Sequence, residues 1–175
     1  MSCSEDRDGP IPDAVLPQPR GMHARELLTR AEEYLKAARA VGEAHPNRLI
    51  HPTYYLLAHS VELGLKSFLS AKGHSKKALR KVGHDLPELV TLATDEELPE
   101  IEHFDVLIGH LWRINKDFSL RYPVGYIHAV LKFDQAANIA KTLLAATNQA
   151  VTPVYFEDWL RFIGKYRDKY VVWSD

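Results

Sequence analysis

The stretch TYYLLAHSVELGLKSFLSAKG, Thr53 to Gly73, is the longest strongly apolar segment of the chain and decides how the rest is read. Tyr54, Leu57, Ala58, Val61, Leu65 and Phe68 recur at steps of three and four, so at helical pitch they share one broad face that must be buried. His59, Glu62, Lys66 and Ser70 form a second, polar stripe with the same spacing, and Leu56 and Leu63 sit beside that stripe. A helix apolar on more than one side is packed on more than one side. Gly64 in its middle costs about 1 kcal/mol relative to alanine, which predicts a close approach by another backbone. This is the central helix.

Upstream, Met22 to about Ala44 carries Leu27, Leu28, Ala31, Leu35, Ala38 and Val41 on a helical face, with Glu26–Arg30 and Glu32–Lys36 as supporting pairs. Pro46 and Pro52 bracket a short connection, because a residue before proline is pushed out of the helical region. Residues 1–20 hold four prolines and almost no large apolar side chains, a composition that predicts a flexible tail.

Downstream, Gly73 stops the central helix, and Lys72, Lys76, Lys77, Arg80 and Lys81 concentrate positive charge in a segment that is partly helical at best. In Gly83-His84-Asp85-Leu86-Pro87-Glu88, Asp85 caps a helix that runs to about Thr94, with Glu88 in capping-box register. Ile101, Phe104, Leu107, Ile108, Leu111 and Trp112 mark a further helix to about Phe118. Pro123 and Gly125 leave residues 119–131 as a loop or a poorly started helix. An alanine-rich helix follows from about Phe133 to Gln149, and after Pro153 a short aromatic-faced one carries Tyr155, Trp159, Phe162 and Ile163. No segment reads as a strand. The expectation is an all-α, up-and-down bundle of about five helices over residues 21–150, with a short extra C-terminal helix over 151–175 packed on it or extending it.

The 175 residues suit one domain, and 22 basic against 23 acidic side chains set no overall field toward nucleic acid or an anionic membrane. Any such role requires a local patch. The single cysteine, Cys3, excludes an intrachain disulfide framework, and no apolar run approaches a membrane span, so the expected location is cytoplasmic, with no membrane partner.

The segments Ala58 to Gly73 (AHSVELGLKSFLSAKG), Gly83 to Leu89 (GHDLPEL) and Leu120 to Pro123 (LRYP), the last following a helix that bears Asn115, resemble the HEPN superfamily in order and spacing. The resemblance covers about Met22 to Gln149. It implies a helical bundle, usually homodimeric, in a superfamily rich in RNA-cleaving toxins, defence proteins and non-catalytic modules that bind RNA or protein partners. The family's catalytic signature is an arginine and a histidine with four to six residues between them. Here it falls on Arg121 and His128, with Asn115 in support. A neutral histidine takes the proton of a ribose 2′-hydroxyl and a guanidinium clamps the phosphate, so such a pair cleaves RNA without a metal or other cofactor.

The residues leave alternatives open. His59 and Glu62, one turn apart, either face one cleft with Glu62 orienting Arg121, or Glu62 simply pairs with Lys66. His84-Asp85 is a cap rather than part of a metal site, and the scattered histidines give no zinc ligand set. The cluster Lys72, Lys76, Lys77, Arg80 and Lys81 is either a phosphate-binding surface for RNA or a solvated turn. Two functions follow: a metal-independent endoribonuclease of a toxin–antitoxin or defence system, with an antitoxin or other protein partner, or a non-catalytic module binding a partner protein, RNA or nucleotide. Leu56 and Leu63, lacking a place in a monomer core, predict a homodimer.

Overall fold

A computed structural model of the chain describes residues 18–45, 48–115, 129 and 131–166. These residues build six helices: α1 (Arg20–Ala44), α2 (Ile50–Lys72), α3 (Lys76–Val82), α4 (Leu86–Asp95), α5 (Phe104–Asn115) and α6 (Phe133–Tyr166). Among the described residues there is no strand, so the all-α, bundle-like expectation holds. Residues 1–17 of the expected tail lie outside the described set, and Arg20 already belongs to α1.

The apolar face of α2 is fully buried: Leu57, Val61, Leu65 and Phe68 are all within 1% of complete burial. They meet Leu28 and Ala31 of α1, Leu107 and Leu111 of α5, and Leu143 and Leu144 of α6 in one core. The helix buries polar atoms as well. Ser60 Oγ donates to the Ala31 carbonyl at 2.7 Å and Ser67 Oγ to the Ala24 carbonyl at 2.6 Å, so α1 and α2 run antiparallel with matched polar rungs. These serines carry no helical-face signal, which is why periodicity alone passes over them.

Helix α6 also runs antiparallel to α1. Arg25 Nη1 donates to Asn148 Oδ1 at 2.7 Å, Arg39 Nη2 to Asn138 Oδ1 at 2.9 Å, and the Gly21 amide to Asp158 Oδ2 at 2.7 Å. A Cβ on Gly21 would overlap the Val154 backbone, so glycine permits a close α1–α6 approach there. At Gly64 the expected backbone neighbour is instead a side chain: a Cβ there would lie 2.6 Å from Leu144 Cδ2.

Both prolines expected to break helices are accommodated. Pro52 lies in the first turn of α2, where its missing N–H has no intrahelical partner to lose, and His51 before it is helical. Pro153 lies inside α6, which continues for 34 residues and merges the two expected C-terminal helices. Contacts with the start of α1 on both sides of Pro153, at Asn148 and Asp158, hold the two halves in line. Beyond Pro153, Phe156 and Leu160 are exposed, whereas Trp159, Phe162 and Ile163 are half-buried.

Because Leu65 is wholly enclosed, Leu65→Ala is expected to cost about 2 to 5 kcal/mol in denaturant unfolding. A loss below about 1 kcal/mol would show that α2 is not the centre of the core.

Candidate nucleic-acid interface

The short helix α3 owes its placement to two residues. Ser75 caps it by accepting from the Ala78 amide at 3.1 Å, and Leu79 is its buried anchor. With Leu79 turned inward, Lys76, Lys77, Arg80 and Lys81 all stand exposed. Lys72, at the end of α2, lies over the Phe68 ring with Nζ 5.4 Å from its centroid.

The antiparallel α1–α2 pairing brings the start of α1 to this same end of the bundle. Gly73 ends α2 at φ 116, donating to the Leu69 and Ser70 carbonyls, and a Cβ there would meet Arg20 Nη1 at 3.3 Å. Lys76 Nζ donates to Gln18 Oε1 at 3.0 Å, Gln18 Nε2 to Glu26 Oε2 at 2.9 Å, and Arg30 pairs with the other oxygen of Glu26 at 2.5 Å. Cations from α1, α2 and α3 thus converge on one corner.

His23 sits inside that corner. Its Nδ1 is buried and has no hydrogen-bond partner. Burial, reinforced by the charges of Lys76, Arg80 and Arg30 and opposed by Glu26, holds the imidazole below its ordinary pKa. The folded chain therefore binds this proton less readily than the unfolded one, and stability that His23 contributes above its ordinary pKa is lost as pH falls through the folded value.

From His23 a groove of about 640 Å³ runs between α1 and α2, past Leu27, Tyr34, Leu56, His59 and Leu63. His59 meets Tyr34 edge-on with ring centroids 4.4 Å apart and lies parallel to Tyr55 at 6.4 Å. Leu56 and Leu63 are half-buried along it.

Glu62 does not share that groove. Its side chain is only 5% exposed, accepts from Lys66 Nζ at 2.7 Å, and lies 2.9 and 3.0 Å from Nδ1 of His84. An ionised carboxylate only accepts, so His84 carries its hydrogen on Nδ1 while its ring, 69% exposed, faces solvent. His84 thereby clasps the α3–α4 turn to α2. Asp85 caps α4 as expected, accepting from the Glu88 amide at 3.0 Å. A second clasp, His74 Nε2 to Glu96 Oε1 at 3.1 Å, ties the α2–α3 link to the end of α4.

Of the residues singled out from sequence, Lys76, Lys77, Arg80 and Lys81 stand exposed on α3, Lys72 lies over Phe68 at the end of α2, and His59 and Glu62 point to different surroundings. Asn115 ends α5, half-buried. Arg121 and His128 lie outside the described residues. Sequence reasoning passed over Arg20 and His23 and read Arg30 only as the partner of Glu26, although a short α1–α2 connection already implies that the start of α1 adjoins the basic segment after Gly73. Among the described residues no group of three or more His, Cys, Asp or Glu is placed to hold a metal ion, and no helix is long and apolar enough to cross a membrane.

The clasp separates two substitutions. Glu62→Ala strands Lys66 and should cost about 3 kcal/mol, as loss of one partner from a buried ion pair does. His84→Ala removes an exposed partner and should cost less than about 1 kcal/mol. Chemical denaturation of both variants checks this, and equal losses would contradict it. Comparison with family models, with curated proteins and with solved structures finds no match to this chain.

Proposed function

We propose that the chain is a HEPN-like, RNA-associated protein: an up-and-down bundle, cytoplasmic and homodimeric, that engages single-stranded RNA with the basic end formed by α3 and the start of α1. The observation that carries this reading is the convergence there of exposed Lys76, Lys77, Arg80 and Lys81 with Arg20 in a chain whose overall charge is only -1. A patch that departs so far from the chain's balance favours phosphate over a generic solvated face.

Within this proposal the RNA is cut without a metal by Arg121 and His128, with Arg121 as the phosphate clamp and His128 as the acid/base. Two copies supplied by a dimer give acid and base together. The natural setting is a toxin–antitoxin or defence system, with an antitoxin or other protein as partner. A second reading, the non-catalytic interaction module, is favoured by the α1–α2 groove, where half-buried Leu27, Leu56 and Leu63 offer a partner an apolar floor.

Titration of labelled single-stranded RNA at several salt concentrations tests the interface. Removal of Lys77 and Lys81 should weaken binding and flatten the salt slope by roughly 0.7 per lost phosphate contact. His128→Ala should lower cleavage by about 100-fold or more with binding nearly unchanged. A wild-type protein that binds but does not cut would sink the nuclease and leave the module. One that binds no RNA would sink the RNA reading itself.

A further inference from the structure

We propose that His84 is a phosphoryl-acceptor site: Nε2 of its imidazole takes a phosphoryl group from a phosphoramidate donor while Glu62 holds the ring from the other side. The acceptor stands on the geometry of the pair, and only its effect on RNA rests on the proposed function.

The first argument is what the Glu62–His84 bond accomplishes. Glu62 is already paired with Lys66 Nζ at 2.7 Å, and an ion pair to a side chain that is 69% exposed adds little to stability. What the bond does is fix the imidazole. The two carboxylate oxygens lie 3.0 and 2.9 Å from Nδ1, so the neutral ring is held as the tautomer with its hydrogen on Nδ1 and its lone pair on Nε2, on the solvent side. A nucleophile oriented by a second group, itself fixed by burial and by Lys66, is the arrangement that nucleophilic side chains use.

The second argument is the contrast with two other histidines. His74 and His103 also meet carboxylates, but through Nε2, at 3.1 Å to Glu96 and 3.3 Å to Glu102. Their carboxylates stand partly or wholly in water, where they orient a ring weakly, and the nitrogen they engage is the one that His84 leaves outward.

The third argument is the surroundings. Lys81 is exposed three residues before His84, a separation that spans at most about 11 Å, and Lys77 is exposed one turn earlier on α3. Asp85, the acidic neighbour, is turned to the Glu88 amide. A Cβ on Gly83 would meet nothing within 4 Å, so the turn is open to an approaching donor. Cations at this position attract the donor and offset the charge of the product.

The transfer balances without a redox partner. The Nε2 lone pair attacks phosphorus, the donor's P–N bond breaks with its electron pair leaving on ammonia, and the new Nε2–P bond makes the ring an imidazolium that keeps its Nδ1 hydrogen on Glu62. The released ammonia takes its proton from water. The product sets about two negative charges beside Lys77 and Lys81, which on the proposed function opposes RNA at α3.

The test treats the full, folded chain with phosphoramidate and reads the modified nitrogens by peptide mass spectrometry and by nitrogen–phosphorus coupling in NMR. His103 is the internal control, since its side chain is also 69% exposed. His84 should react about tenfold faster, the rate worth of one charge-assisted hydrogen bond that strengthens as the ring gains charge, and its product should sit on Nε2. In Glu62→Gln the advantage should shrink to about twofold or less. Because that variant also disturbs Lys66, the wild-type chain unfolded in urea gives a second measure, in which the two histidines should react alike. Equal rates in the folded chain, or a phosphoryl group on Nδ1 of His84, would overturn the acceptor and leave the RNA reading standing. Selective modification of a chain that binds no RNA would keep the acceptor and overturn the RNA reading alone. Where RNA is bound, the phosphorylated chain should hold it about tenfold more weakly, and unchanged affinity would overturn the link to α3.

Discussion

The structure depends on enclosing α2 on nearly every side. Its apolar residues supply the driving force, but enclosure also removes Ser60, Ser67 and Glu62 from water, and each stranded polar group would cost about 1 to 3 kcal/mol. Partner positions follow from that demand. Carbonyls of α1 take the two serine hydroxyls, which sets the register of the α1–α2 pair. Lys66 and His84 take Glu62, which sets where the chain must be when it turns from α3 into α4.

Function-bearing geometry is a consequence of those restraints. Once α1 and α2 are antiparallel and in register, the first turn of α1 lies against the C-cap of α2, and the residues after Gly73 begin there. The His84 clasp then holds α3 with Leu79 inward and its cations outward. Like charges gathered in this way repel one another. The imidazole of His23 is held below its ordinary pKa by burial first and by Lys76 and Arg80 after it.

Much of this was legible in the residues. The buried face of α2, the Phe104–Leu111 face of α5, the Asp85 cap and the basic segment all follow from spacing or from one local hydrogen bond. What was not legible is tertiary. Pro153 reads as a break because a local rule cannot weigh Asn148 and Asp158 gripping α1 from either side of it. Glu62 reads as one half of an i,i+4 pair because the second partner, His84, is far along the chain. His23 carries no periodic signal at all, and its significance arises from Lys76 and Arg80, which only the fold brings beside it.

On the proposed reading it is the α3 corner, and not the far reach of α6, that would meet RNA. Hydrogen exchange of the full chain with and without saturating single-stranded RNA examines every helix at once. The account predicts added protection in α3 and in the first turns of α1, no change in α4, and central α2 amides that exchange only through global unfolding. Protection gathered instead at Phe156 to Ile163, with α3 unaffected, would contradict it.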